Sequence, residues 1–181
     1  MNQTKKMTVC ALLVALSAVL AFLSKIIPAP WLQGGSITLA SAVPVILTSL
    51  LFGVKWGVAS SVAYAVIQMM MGFYPPPTRS FFDFLLVVML DYVLAFGVYG
   101  LAGLFYKKNK AYTIPLSGFL VVLMRYICHI LSGVLIWGIY ATKGQTVLMY
   151  SVVYNGSYMI PEIIITTIVL AMMIKLIQKL D

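Results

Sequence analysis

Six long apolar runs, separated by short polar or breaker-rich connections, set the pattern of this chain. The first, Met7 to Ile27, follows Lys5 and Lys6 and has about the 20 residues that a membrane-crossing helix needs. It is too long for a signal-peptide core and ends at Lys25 and Pro28 without a small-residue cleavage site, so it reads as helix 1. Pro28 to Ser36, P-A-P-W-L-Q-G-G-S, is rich in breakers and predicts a loop, with Trp31 placed as an interface anchor or as part of a lid. A second helix is expected over about 37–51, interrupted at Pro44. After a turn at Gly53 to Lys55, a third runs over about 54–71. G-F-Y-P-P-P-T-R then predicts a rigid extended loop, followed by a fourth helix over about 81–105. The fifth and sixth are expected over about 112–140 and 149–177. The pattern predicts an all-α integral membrane bundle of six transmembrane helices in a single domain, 1–181.

Composition supports the membrane class. Hydrophobic residues make up 62% of the chain and charged residues 9%, with a mean hydropathy of +1.04, which is more apolar surface than a soluble core of this size buries. Twelve Lys and Arg against four Asp and Glu do not point to nucleic acid, because the basic residues stand at the ends of the apolar runs. Lys5, Lys6, Lys55, Lys107, Lys108, Lys110, Lys175 and Lys179 fall on one side of a six-helix arrangement. Lys25, Arg79 and Lys143 fall on the other. The excess of positive charge places both termini in the cytoplasm. Cys10 and Cys128 lie in apolar segments without metal-ligand spacing and read as small core hydrophobes.

Scarce polar groups inside the apolar runs carry the candidate chemistry. Arg125, His129, Gly133 and Trp137 recur at four-residue steps and would share one helix side, with the glycine leaving a niche between the rings. Ionisable groups inside a membrane are costly, and a functional role is their default reading. Arg125 and Glu162 are expected to lie deepest and to neutralise each other as a structural ion pair. Asp91 is then left as a carboxylate without a basic partner, near Tyr92, His129, Trp137, Tyr150 and Asn155. An aromatic cage with one spare negative charge suits a small organic cation with a flat ring, since each ring face attracts a cation by about 0.5–2 kcal/mol when desolvated. The competing reading pairs Asp91 with Arg125 and makes the aromatic residues core or interface packing. In helix 1, Ala11, Ala15 and Ala18 form a strip of small residues, suited either to internal packing or to a partner helix.

Four stretches resemble a known family: G-G-S-I-T-L-A-S-A-V-P after helix 1, L-D-Y-V-L-A-F-G in helix 4, R-Y-I-C-H-I-L-S-G in helix 5 and Y-S-V-V-Y-N-G-S-Y-M-I-P-E in helix 6. In order and over nearly the whole chain, they are similar to the thiamine-specific substrate-binding subunit, or S component, of energy-coupling factor (ECF) transporters in bacterial cell membranes. The resemblance implies a six-helix protein that captures a vitamin outside and works with a transmembrane coupling protein and two ATPase subunits. It puts the family's acidic ligand residue on Asp91, with Tyr92 beside it. The family histidine falls on His129, its stacking tryptophan on Trp137, and its polar pair on Tyr150 and Asn155. A lid tryptophan of the family would align near Gly35 rather than Trp31, and a loop tyrosine corresponds to Tyr74. A-L-L-V-A, Ala11 to Ala15, is similar to the family surface that docks on the coupling protein.

Thiamine, with a permanently charged thiazolium ring, an aminopyrimidine and a hydroxyethyl tail, calls for a carboxylate, stacking rings and polar partners together. No cofactor, metal site or catalytic constellation is expected: the chain has no H-E-x-x-H, no nucleophile paired with a base and no ATP-binding loop. Two alternatives stay open, an S component for another vitamin or precursor and a self-sufficient secondary transporter coupled to ions through Asp91 and Glu162.

Overall fold

A computed structural model describes residues 1–26 and 35–180. Trp31 lies outside the described residues. Among these residues the fold is entirely helical: α1 (Gln3–Ser24), α2 (Ala42–Phe52), α3 (Val54–Gly72), α4 (Phe81–Phe105), α5 (Thr113–Leu135), α6 (Val147–Met172) and α7 (Ile174–Leu180). Four of them, α1, α4, α5 and α6, are long and apolar enough to cross a membrane. The other two expected spans differ for separate reasons. At about 1.5 Å per residue, the 11 residues of α2 reach only about half the ~30 Å hydrocarbon thickness. α3 has 19 residues, but Lys55, Ser60, Ser61 and Gln68 lower its hydropathy.

α2 is the centre of the bundle, with every residue from Ala42 to Leu50 buried. It starts five residues later than the apolar run suggests, because Ala40 adopts a left-handed backbone conformation (φ 57°) that no helix continues through. Pro44 therefore sits in the first turn, where its missing N–H costs nothing, and it opens this helix rather than interrupting it. Small residues let neighbouring helices close on α2. Ser49 Oγ donates to the Gly100 carbonyl at 2.6 Å and accepts from Gly103 N–H at 2.9 Å. A Cβ on Gly100 would come within 2.4 Å of Val58 N in α3, so this crossing accepts only glycine.

α1 packs on α2 and α3 through Cys10, Val14, Ser17, Ala21 and Ser24, a buried stripe at three- and four-residue steps. Ala11 and Ala15 are exposed on the opposite side. α4 is continuous but irregular, with a π turn at Val88–Val93 and a 3-10 turn at Val98–Leu101. α5 ends at Leu135, earlier than its apolar run. Ile136 leaves helical geometry (φ −122°, ψ −47°), and Trp137–Tyr140 form a separate 3-10 turn. The four-residue stripe from Arg125 consequently stops at Gly133, and Trp137 belongs to another element. α6 also ends before its apolar run does, at Met172, and α7 follows after a break at Met173.

Candidate functional site

A cavity of about 490 Å³ opens among α1, α3, α4, α5, α6, the turn after α5 and the connection leading into α2. Its size lies within the roughly 300–1,000 Å³ usual for small-molecule sites. Asp91, Tyr92, His129, Trp137, Tyr150 and Asn155 all line it, as do Gly35, Tyr74 and Arg125. It is not confined to the last three long helices: Ser24 and Lys25 at the end of α1 and Gln68 and Gly72 of α3 contribute to the wall.

Asp91 is at the centre of the polar wall. The π turn of α4 inserts an extra residue into the helical repeat, a feature that recurs at functional sites, and both Asp91 and Tyr92 lie within it. Asp91 Oδ1 is 3.0 Å from His129 Nδ1. Its Oδ2 accepts from Ser132 Oγ at 2.6 Å and from Trp137 Nε1 at 3.2 Å. The early end of α5 makes the last contact possible: the turn at Ile136 brings the indole N–H back toward α4 and to 3.1 Å from Ser132 Oγ. The Trp137 ring lies beside Tyr74 (centroids 5.4 Å apart) and stacks on Tyr140 at 6.3 Å.

Arg125 and Glu162 are both buried, but they make no direct ion pair. Arg125 donates through Nη1 to Tyr99 Oη at 2.7 Å and through Nε to His129 Nε2 at 3.2 Å. Its guanidinium lies 4.4 Å from the centre of the Phe96 ring. Glu162 is fully buried and accepts from Thr38, through the backbone N–H at 2.8 Å and through the hydroxyl. The hydrogen bonds of each go elsewhere, those of Arg125 to Tyr99 and His129 and those of Glu162 to Thr38. The expected contact fails because Thr38 reaches Glu162 from the connection before α2 and Tyr99 reaches Arg125 from α4.

On the α6 side, the space beside Gly133 is filled. A Cβ there would meet Ser151 Oγ at 2.1 Å and Asn155 Nδ2 at 3.2 Å. The glycine therefore provides a close helix crossing on this side, and it also lines the cavity between His129 and Trp137. Asn155 spends its amide on protein: Nδ2 donates to Ser151 O at 2.9 Å and His129 O at 3.2 Å, and Oδ1 accepts from Tyr158. Tyr92 is also committed. Its hydroxyl donates to Gly72 O at 3.1 Å and accepts from Tyr74 N–H at 3.0 Å, which holds the start of the 73–80 connection. Tyr150 differs from both: its hydroxyl is buried with no partner among the described residues, and its ring stacks on Tyr154 at 5.6 Å. Gly35 has φ +103°, and a Cβ there would meet the Tyr158 ring at 2.6 Å, so no bulkier residue fits at this point of the wall.

Ser132, Tyr99 and Tyr158 are the polar partners that sequence reasoning missed. Ser132 follows His129 by three residues and so shares its face of α5, which was a usable signal. Tyr99 and Tyr158 had none, being tyrosines among eleven. No group of three or more His, Cys, Asp or Glu able to hold a metal ion occurs among the described residues.

Comparison with known proteins adds an independent line. The family model described as Thiamine transporter protein (Thia_YuaJ) matches residues 7–181. Thiamine transporter ThiT of Bacillus subtilis (strain 168) is 32% identical over 189 residues, covering 96% of this chain and 93% of that one. Thiamine transporter ThiT of Lacticaseibacillus paracasei is 29% identical over 103 residues, 51% of each chain. A solved structure of ThiT from Listeria monocytogenes aligns with a TM-score of 0.75 at 21% identity, covering 98% of this chain and 97% of its own. At that identity the likeness speaks for the fold.

Proposed function

The chain belongs to the thiamine transporter family, and we propose that it acts as the thiamine-capturing S component of an ECF importer, holding the vitamin in the cavity bounded by Asp91, His129, Trp137 and Tyr150. The observation that carries this reading is a carboxylate set in a membrane bundle beside a cavity that seven aromatic residues also line. The thiazolium supplies the positive charge that Asp91 balances, and Trp137 and Tyr74 supply ring faces for it. The unpartnered Tyr150 hydroxyl is free to meet a polar edge of the ligand.

Six passes with cytoplasmic termini complete the reading. α2, buried from Ala42 to Leu50, crosses within the shelter of the longer helices and needs no lipid-facing surface, while α3 turns Val62, Val66 and Met70 outward to lipid. Basic residues, eight on the inner side against three on the outer, set the orientation. Ala11 and Ala15, exposed on α1 between Leu12, Leu16 and Val19, offer a low-relief strip to the transmembrane coupling protein, which two ATPase subunits drive.

Calorimetry on the isolated chain should give saturable one-to-one thiamine binding, and absence of binding would overturn the assignment of ligand and cavity together. Proteoliposomes test the coupling separately. Thiamine should accumulate only with the coupling module and ATP present. Accumulation by this chain alone, with an ion gradient, would instead identify a self-sufficient transporter.

A further inference from the structure

The hydrogen bonds behind the cavity wall form one chain, Tyr99–Arg125–His129–Asp91, whose directions follow from which atoms can only donate. An arginine side chain has no acceptor, so Arg125 Nε–H at 3.2 Å from His129 Nε2 requires a lone pair on that nitrogen. The ring must then carry its proton on Nδ1, which faces Asp91 Oδ1 at 3.0 Å. Asp91 Oδ2 already accepts from Ser132 Oγ and from the donor-only Trp137 Nε1. With acceptor roles at both oxygens, these hydrogen bonds match an Asp91 carboxylate facing a neutral His129 that carries its proton on Nδ1. An imidazolium would set an Nε2–H against the Arg125 N–H.

We propose that Arg125 is a positioning residue for ligand charge: by occupying His129 Nε2 it keeps His129 neutral, so that the charge of Asp91 remains available to a cation in the cavity. This rests on the cation-binding reading above. Arg125 is suited to the role because it is itself fixed, 8% exposed, hydrogen-bonded to Tyr99 and packed over Phe96. The ionisable groups facing His129 are Asp91 of α4, Arg125 of its own helix and Tyr158 of α6, while Tyr99 of α4 and Glu162 of α6 act on Arg125 behind it. Asp91 is the carboxylate of this group that lines the cavity, and a proton on His129, 3.0 Å away, would offset its charge.

His129 is the only histidine in the chain, so histidine-selective ¹⁵N labelling gives one ring to read. In the ligand-free protein, Nδ1 should be the protonated ring nitrogen and Nε2 the unprotonated one throughout about pH 6–8, where a free imidazole would change charge. Protonated Nε2, or an imidazolium at neutral pH, overturns the proposal and leaves thiamine binding a separate question. Arg125→Lys keeps the charge but loses the planar hold. At pH 6 it should lower the preference for thiamine over an uncharged isostere of its thiazolium by about tenfold, with the preference restored at pH 8. Equal loss of both ligands at both pH values would mark Arg125 as structural only. If Arg125→Lys does not fold, the wild-type ¹⁵N spectrum still decides.

Discussion

α1 and the α5–α6 pair are both apolar helical elements of similar length, yet they use their polar and small residues in opposite ways. On α1 the serines turn inward, with Ser17 and Ser24 buried, while Ala11 and Ala15 face out and are exposed. Along α5 and α6 the small residues turn inward, at Gly118, Gly133 and Gly156. They bring the helices close enough for Asn155 to reach the His129 carbonyl and for Ser151 to reach Ile130 O at 2.8 Å. One region thus has an unused smooth face and little internal polarity there, and the other has a crowded polar seam with the cavity on its flank. In a bilayer, where apolar burial gives helices little reason to associate, small residues mark intended contacts. The α5–α6 contacts are satisfied within the chain, whereas those expected of the α1 strip are not. If the chain captures and delivers thiamine as proposed, binding and delivery fall to different regions, and they should be separable by mutation.

The largest effect should come from the outward strip. Ala15→Trp places a large ring where close approach of a partner helix is expected, and thiamine uptake by cells carrying the coupling module should fall to the background of cells without this chain. Because Ala15 is exposed on the side of α1 away from its buried stripe, affinity of the purified variant should stay within about twofold, less than ~0.5 kcal/mol. Uptake and affinity lost together would mean that the strip packs internally after all. Asp91→Asn should do the reverse and act on binding directly. Removing one member of a buried charge pair costs about 2–5 kcal/mol, so affinity by calorimetry should drop at least ~30-fold. A change within about twofold would show that the charge is not what the cavity offers.

Which of these features the sequence revealed follows from rarity. Asp91, His129 and Glu162 stood out because ionisable residues are scarce in apolar runs, and the structure places Asp91 and His129 in contact. Pairing was less legible than identity. Arg125 and Glu162 were expected to meet because they were the remaining opposite charges, but their neutral partners, Tyr99 and Thr38, belong to residue types too common to single out. Helix ends were misjudged where apolar character continues past the break. Ile136 and Met173 stop α5 and α6 without a proline or glycine at the break itself, so hydropathy read straight through both. Gly133, expected to leave a gap, does line the cavity, but only the tertiary structure reveals that it also admits Ser151 of α6 at close range.

Trp137→Phe probes the turn that those misread ends created. Phenylalanine keeps a ring beside Tyr74 but loses the indole N–H to Asp91 and Ser132. A loss of about 1.5 kcal/mol is expected, roughly tenfold in affinity, together with most of the tryptophan quenching on thiamine binding. Undiminished quenching in this variant would move the ligand away from Trp137 and toward the other rings of the cavity.

Tyr150→Phe should give the smallest effect and the most specific sign. Its hydroxyl is buried without a partner among the described residues, although the ring is packed against Tyr154. A buried polar group left unpaired is unfavourable, so deleting it should leave the ligand-free protein as stable as before or slightly more stable. If the hydroxyl meets thiamine, the same deletion should weaken binding by about 0.5–1.5 kcal/mol, roughly two- to tenfold. Stability and affinity then move in opposite directions, which neither a packing defect nor a general loosening of the seam produces. Thermal melts with and without thiamine read both quantities in one series. An unchanged ligand-induced shift in Tm would remove Tyr150 from the binding wall and leave Asp91 and Trp137 to carry recognition.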